Sequence, residues 1–142
     1  NPEKTAEDFR EDGYFISGDL ATAEEDGRIT IVGRAKDLII SGGYNVYPKE
    51  IETELNDLAG ISESAVIGVP HADFGEGVVA VVTLAPGEAT LSEEAILSQL
   101  EGRLAKFKLP KRILIADELP RNAMGKVQKN VLRDAHAALL TS

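Results

Sequence analysis

The chain contains no cysteine and no tryptophan, one methionine, and two histidines among 142 residues. Without cysteine it has no disulfide, no thiolate metal site and no cysteine nucleophile. Two histidines, His71 and His136, form no cluster of the kind zinc requires. No metal site is therefore expected. Apolar runs are short as well. None nears the ~20 residues of a membrane-spanning helix, and none reads as a secretory signal. No membrane partner is expected.

What is present is ordinary globular material: 43% hydrophobic and 27% charged residues, which argues against disorder. The length fits one domain, or one domain with a fragment of another. Position 1 is Asn rather than Met, as expected of a piece of a longer chain. Charge is unevenly placed. Residues 1–100 carry 6 basic and 20 acidic side chains, whereas residues 101–142 carry 9 basic and 4 acidic ones. A basic end suggests an anionic partner. The net charge of −9 speaks against coating of nucleic acid or membrane, and a nucleotide-sized anion fits better.

Local patterns give an order of elements. Residues 1–12 are polar and offer little to bury. Residues 20–23 and 28–32 flank Asp26-Gly27 and read as a β-hairpin. A short strand at 37–40 ends in Ser41-Gly42-Gly43. Residues 44–47 lead into a helix whose first position suits Pro48, and Ile51, Leu55 and Leu58 form one apolar stripe, with Gly60 ending the helix. Residues 64–69 and 78–84 read as strands joined by a loop over 70–77. Thr90 and Glu93 have capping-box spacing ahead of a helix presenting Ile96, Leu97, Leu100 and Leu104. A strand follows at 113–116. The loop PRNAMG then leads to a last helix aligning Val127, Val131, Ala135 and Leu139. The fold class expected is α+β, helices packed on a small sheet, preceded by the hairpin strip.

Several residues carry candidate chemistry. Lys126 follows Gly125 ahead of a helix, a placement that suits a phosphate. An exposed lysine near a helix start accounts for it equally. The spacing of a P-loop is missing. Ser41-Gly42-Gly43 lets a ligand pass the backbone, or is a plain turn. Asp19 after Gly18 offers a carboxylate for ribose hydroxyls. Lys106, Phe107, Lys108, Lys111 and Arg112 combine cations with an aromatic, or form a solvated helix end. His71 with Asp73 and Glu76 reads as a surface loop.

Read in order, Gly13-Tyr14-Phe15-Ile16-Ser17-Gly18-Asp19, Asp26-Gly27, Gly33-Arg34-Ala35-Lys36-Asp37, Gly42-Gly43, Pro48-Lys49-Glu50-Ile51-Glu52 and Pro120-Arg121-Asn122-Ala123-Met124-Gly125-Lys126 carry a resemblance. The chain resembles the C-terminal end of acyl-adenylate-forming ligases, the superfamily of acyl-CoA synthetases, peptide-synthetase adenylation domains and luciferases. The resemblance covers residues 13–135. Within the superfamily, GVPHADFGEGV, LAKFKLPK and LPRNAMGKVQKNVLR look most like malonyl-CoA synthetases.

The resemblance implies that residues 1–35 are the tail of a large N-terminal domain that binds ATP and the acid. Residues 36–142 are then a small mobile C-terminal domain. It implies an ATP-dependent acid–thiol ligase that converts a small carboxylic acid, malonate or methylmalonate, to acyl-AMP and then acyl-CoA. Asp19 and Arg34 bind ATP and the adenylate. Lys36 is the hinge, and Gly42 and Gly43 wall the pantetheine channel. Lys126 is the adenylation lysine and a target for a protein lysine acyltransferase. Lys106, Phe107, Lys108 and Lys111 lie where some relatives contact CoA. Mg2+ accompanies ATP on the large domain. Ser17 replaces a frequent Thr, and Lys129 a frequent Arg. The resemblance also implies a cytoplasmic enzyme and an inactive isolated fragment. Two other readings remain: a CoA ligase for another short or medium acid, and a non-enzymatic α+β module binding anions or nucleic acid. A peptide-synthetase adenylation domain is less expected, because no carrier domain follows Ser142.

Overall fold

The computed structural model describes residues 2–88 and 90–141. Asn1 and Ser142, the two ends weighed above, lie outside the described residues. The backbone gathers into two compact units, Asn1–Lys36 and Asp37–Ser142, and each has its own sheet.

In the first unit the expected hairpin is present. Strand β1 (Asp19–Ala23) pairs antiparallel with β2 (Ile29–Arg34). The Glu24 N–H donates to Arg28 O at 2.8 Å across the turn, and Arg28 is paired with Asp26 at 2.9 Å. Ahead of it, the polar segment forms a helix that sequence patterning missed, α1 (Pro2–Asp8), which buries no residue. A helix with no apolar stripe has no periodicity to read.

The second unit is a five-stranded sheet centred on β6 (Gly75–Leu84). One edge of β6 pairs antiparallel with β5 (Ile61–His71) along its whole length. Its other edge is shared. Strand β3 (Ile39–Ser41) meets it at Ser41–Gly75, and β7 (Arg112–Ile115) runs parallel to it from Val79 to Val82. Strand β4 (Tyr44–Val46) closes the far edge on β3. Helices α2 (Pro48–Asn56), α3 (Glu93–Leu100) and α4 (Lys129–Ala135) complete the unit. The α+β class with helices on a small sheet is as expected.

Both sheet faces are buried, which explains the near-continuous apolar run of β5 and β6. Alternate residues face opposite ways. Val66, Val78, Ala80 and Val82 pack with Ile51, Leu55, Ile96 and Leu100 of α2 and α3. Ala65, Ile67, Val69, Val79 and Val81 pack with Leu119 and Leu132. Each fully buried Ile or Leu contributes about 1.5–3 kcal/mol.

Four local expectations need correction. The loop placed over 70–77 is mostly strand, since β5 and β6 pair as far as His71–Gly75; cross-strand pairing overrides the local Pro and Gly signals. Residues 44–46 are a strand, not a lead-in to the helix. Helix α3 is capped by Ser92, whose Oγ accepts from the Ala95 N–H at 3.2 Å, rather than by Thr90. Helix α4 spans seven residues and turns Leu132 inward, while Val131 is exposed and Val127 precedes the helix. The stripe drawn from Val127 to Leu139 assumed one long helix.

Glu93 is not a capping-box residue either. Its carboxylate accepts from Arg112 Nε at 2.8 Å and from the Ile113 N–H at 2.9 Å, tying α3 to β7. Burial raises this carboxyl's pKa, but the Ile113 N–H and the Arg112 guanidinium more than offset it and hold it below its ordinary value. A depressed carboxyl contributes stability above its unfolded pKa and loses it as pH falls through the folded one. Glu93→Gln should therefore remove part of the acid sensitivity of unfolding below about pH 4. Urea titrations of both forms between neutral pH and pH 3 check this; equal pH slopes would contradict it.

Candidate functional site

Lys126 stands at the rim of a tight loop organised by its neighbours. The Asn122 side-chain Oδ1 accepts from the N–H groups of Met124 and Lys126, both at 3.0 Å. The Asn122 N–H donates to Lys126 O at 2.9 Å, and the Gly125 N–H to Asn122 O at 2.9 Å. Arg121 reaches Gly125 O at 2.8 Å with one nitrogen and pairs with Glu63 on β5 with another. The backbone is thus fixed while the side chain is exposed. Its ammonium has no hydrogen-bond or ion-pair partner among the described residues. Helix α4 begins only at Lys129, so the helix-terminus placement expected for Lys126 is corrected. Its field comes from its own charge, not from a helix end.

The Gly42-Gly43 turn joins β3 to β4. Ser41 and Tyr44 are paired, leaving a two-residue loop with φ of +57° at Gly42 and +83° at Gly43. Such a turn needs two left-handed residues, which glycine supplies without strain. The Gly42 N–H donates to Phe74 O at 3.0 Å, and a Cβ at Gly42 would stand 3.1 Å from the Phe74 ring. Exposed aromatics surround the turn: Tyr44 stacks on Phe107 at 4.8 Å, and Lys111 Nζ lies 4.7 Å from the Phe74 ring centroid.

The basic end is mostly answered from within. Arg103, Lys108, Arg112, Arg121, Lys129 and Arg133 pair with Glu54, Glu50, Glu93, Glu63, Glu52 and Asp37 respectively. All six carboxylates come from residues 37–93. The uneven charge of the sequence is to this extent an internal pairing scheme. Among the described residues, the cations of 101–142 without a carboxylate partner are Lys106, Lys111 and Lys126. Lys108 is held by Glu50 at 2.7 Å, and Lys129 by Glu52 at 2.6 Å.

These two features occupy opposite ends of one ribbon. Glu63, which anchors the Lys126 loop, pairs with Thr83; Ser41, beside the glycine turn, pairs with Gly75, which pairs with His71. Eight residue steps from Glu63 to His71 at ~3.3 Å each separate the two anchors by roughly 26 Å. The structure does not bring Lys126 and Gly42-Gly43 together. It holds them apart on a rigid, doubly buried ribbon.

In the first unit Asp19 and Arg34 are cross-strand partners. Arg34 Nε pairs with Asp19 Oδ1 at 3.0 Å, and Arg34 Nη1 donates to Ser17 O at 3.3 Å. Lys36 lies in a 3-10 turn, Ala35–Asp37. On one side the Ala35 N–H donates to Gly18 O at 2.8 Å within the first unit. On the other, Asp37 accepts from Arg133 at 3.2 Å within the second. Lys36 is the residue between the two anchors, and its ammonium has no partner among the described residues.

His71 ends β5, its Nδ1 accepting from the Asp73 N–H at 3.0 Å, with its ring against Phe74. It has a structural role. Asn122, Arg121, Phe74 and Tyr44 were missed as site residues. Asn122 and Arg121 act through the backbone; only an Asn two residues ahead of a turn hinted at this. Among the described residues no metal-holding group of His, Cys, Asp or Glu occurs, and no helix is long and apolar enough to cross a membrane.

Comparison with known proteins follows the same lines. A family model described as "AMP-binding enzyme C-terminal domain" matches residues 50–126. A 3-[(3aS,4S,7aS)-7a-methyl-1,5-dioxo-octahydro-1H-inden-4-yl]propanoyl:CoA ligase of Rhodococcus jostii is 47% identical over 94% of this chain and 26% of its own length. A feruloyl-CoA synthase of Amycolatopsis is 47% identical over 93% of this chain and 26% of its own length. The crystal structure of ATP-bound MatB from Rhodopseudomonas palustris superposes with a TM-score of 0.88 at 58% identity, covering 99% of this chain and 28% of that one. The chain spans about a quarter of the length of the relatives it matches. More than half of it fits one family model, and its fold recurs at the ends of CoA ligases. It belongs to the family of AMP-binding enzyme C-terminal domains.

Proposed function

We propose that this chain is the mobile C-terminal portion of an ATP-dependent carboxylate–CoA ligase acting on malonate or methylmalonate, with residues 1–35 the tail of the large domain and 36–142 the lid. One observation carries the mechanistic part: a cation without a partner and a glycine turn open at Gly43 sit at opposite ends of one ribbon. A single substrate atom cannot meet both at once. Two successive reactions, with a rotation between them, use both.

In the first reaction a carboxylate oxygen bonds to the α-phosphorus of ATP and the bridging bond to pyrophosphate breaks. Negative charge grows on the oxygens around phosphorus. Lys126, presented on a fixed loop, stabilises that charge without reorganising. Asp19 takes the ribose hydroxyls, with Arg34 beside it toward ribose or phosphate. In the second, the sulfur of CoA bonds to the acyl carbon and AMP leaves. Rotation at Lys36 withdraws Lys126 and presents Gly42-Gly43 to the pantetheine arm. Lys106, Lys111 and Phe107 face the nucleotide end of CoA; Lys108 takes a lesser part because Glu50 holds it. Mg2+ accompanying ATP belongs to the upstream residues in this reading, since the described carboxylates gather no site for it. A lysine acyltransferase acting on Lys126 removes the same charge and switches off the first reaction. The compartment proposed is the cytoplasm.

The stretches quoted above, which look most like malonyl-CoA synthetases, favour malonate. Two relatives equally identical here carry names with very different acids, so this segment does not set the acid. A CoA ligase for another acid is the alternative. Binding of nucleic acid is disfavoured by the six internal ion pairs of the basic end. The test is an assay of the full-length enzyme with malonate, methylmalonate, acetate and longer acids. AMP release fastest with malonate or methylmalonate supports the reading, and a preference for a monocarboxylate would replace it with the alternative.

A further inference from the structure

We infer that Asn122 is the positioning residue for Lys126: its side-chain carboxamide sets the loop from which the lysine reaches the reacting phosphate. This rests on the ligase reading above. The inference comes from where the loop's hydrogen bonds go. An exposed six-residue loop ordinarily leaves its amides to water and samples many conformations. Here one side-chain oxygen accepts from two of them, the N–H groups of Met124 and Lys126. The backbone of the same residue closes the ring in both directions, donating to Lys126 O and accepting from the Gly125 N–H. Lys126 is thereby bonded to Asn122 through both its N–H and its C=O. Its side chain, by contrast, is bonded to nothing among the described residues.

Such an arrangement fixes the root of a flexible four-carbon stem while leaving its charge available. Arg121 supplies the second support by bracing Gly125 O to Glu63 on β5, so the loop moves with the sheet as one body. Glutamine is a methylene too long for this pattern, and alanine offers no acceptor. Aspartate keeps an oxygen for both amides, and Asx turns form with either side chain. A lysine rooted ~1 Å away from its place loses on the order of a hundredfold in rate.

The test uses the full-length enzyme, with ATP–pyrophosphate exchange reporting the first reaction and thioester formation from supplied acyl-AMP reporting the second. Asn122→Ala is expected to lower the exchange kcat on the order of a hundredfold with the KM for ATP little changed, and to leave the second reaction at its normal rate. Asn122→Asp should recover most of the loss. In a Lys126→Ala background, Asn122→Ala should add no further loss, because residues that act as a unit are not additive. Exchange at the normal rate in Asn122→Ala, beside lost exchange in Lys126→Ala, overturns this inference and leaves the ligase reading standing. So does a parallel fall of both reactions with no rescue by Asp, which marks a residue needed only for folding. Normal exchange in Lys126→Ala overturns both.

Discussion

Lys126→Ala in the full-length enzyme is expected to lower adenylation by about two to three powers of ten while thioester formation from a supplied acyl-AMP proceeds near the normal rate. The expectation follows from where charge develops. In the proposed first reaction the departing pyrophosphate and the phosphorus oxygens gain negative charge. Removing one preorganised electrostatic contact there costs on the order of 3–4 kcal/mol, or about two to three powers of ten in rate. In the second reaction of the proposed sequence AMP is the leaving group, and on that proposal the sheet's other end faces the site. The strand anchors of the two ends, Glu63 and His71, are roughly 26 Å apart along β5, well beyond a Debye length for charges screened by solvent. Lys126→Arg is expected to recover only part of the first reaction, since a planar guanidinium does not replace a compact ammonium. Folding should be unaffected, because Lys126 is exposed and its side chain bonds to nothing described. Thermal unfolding of the variant checks that point.

Gly43→Leu is expected to have the mirror-image effect. A Cβ at Gly43 meets nothing within 4 Å, so the side chain points into open space rather than into the sheet. Its cost to folding is the left-handed backbone, φ +83°, about 1–2 kcal/mol for a residue with a Cβ. Its cost to function is obstruction. On the proposal that this turn faces the pantetheine arm, leucine there narrows the path through which sulfur reaches the acyl carbon. Thioester formation should fall at least tenfold, with adenylation changed by less than about twofold; the 1.4 kcal/mol behind a tenfold change is modest for a misplaced reacting group. Gly43→Ala separates the two costs, because it carries the same backbone strain with little bulk. Equal damage from Ala and Leu would assign the effect to the backbone and not to the channel.

Much of this was legible in the sequence where signals were redundant. Pro48 at the first helical position and the apolar pair Ile51 and Leu55 mark α2, and both apolar residues are buried; Leu58 is buried too, but the helix ends at Asn56, short of the Gly60 stop expected. The hairpin around Asp26-Gly27 was legible from alternation and turn chemistry together. Lys126, Gly42 and Gly43 were ambiguous taken singly and stood out only through the resemblance that the ordered motifs carry. The misses share one cause. Strand β5 runs through Pro70 to His71 because pairing with β6 outweighs the local turn signal. Helix α4 is short: it buries Leu132, while Val127, Leu139 and Leu140 reach the same cluster from outside the helix. Asn122, Arg121 and the six ion pairs of the basic end were invisible because their partners are distant in sequence or are backbone groups. A charge count distinguishes a basic segment from an acidic one. It does not tell a cation facing a carboxylate from one facing solvent, and only three lysines of 101–142 lack that partner among the described residues.

The central claim is that one small domain serves two reactions through opposite ends of a single ribbon. The measurement that tests it most directly is both half-reactions run side by side on Lys126→Ala and Gly43→Leu. The account predicts a crossed result: the lysine variant loses pyrophosphate exchange and keeps thioester formation, and the glycine variant does the reverse. A parallel loss of both reactions in both variants would contradict it.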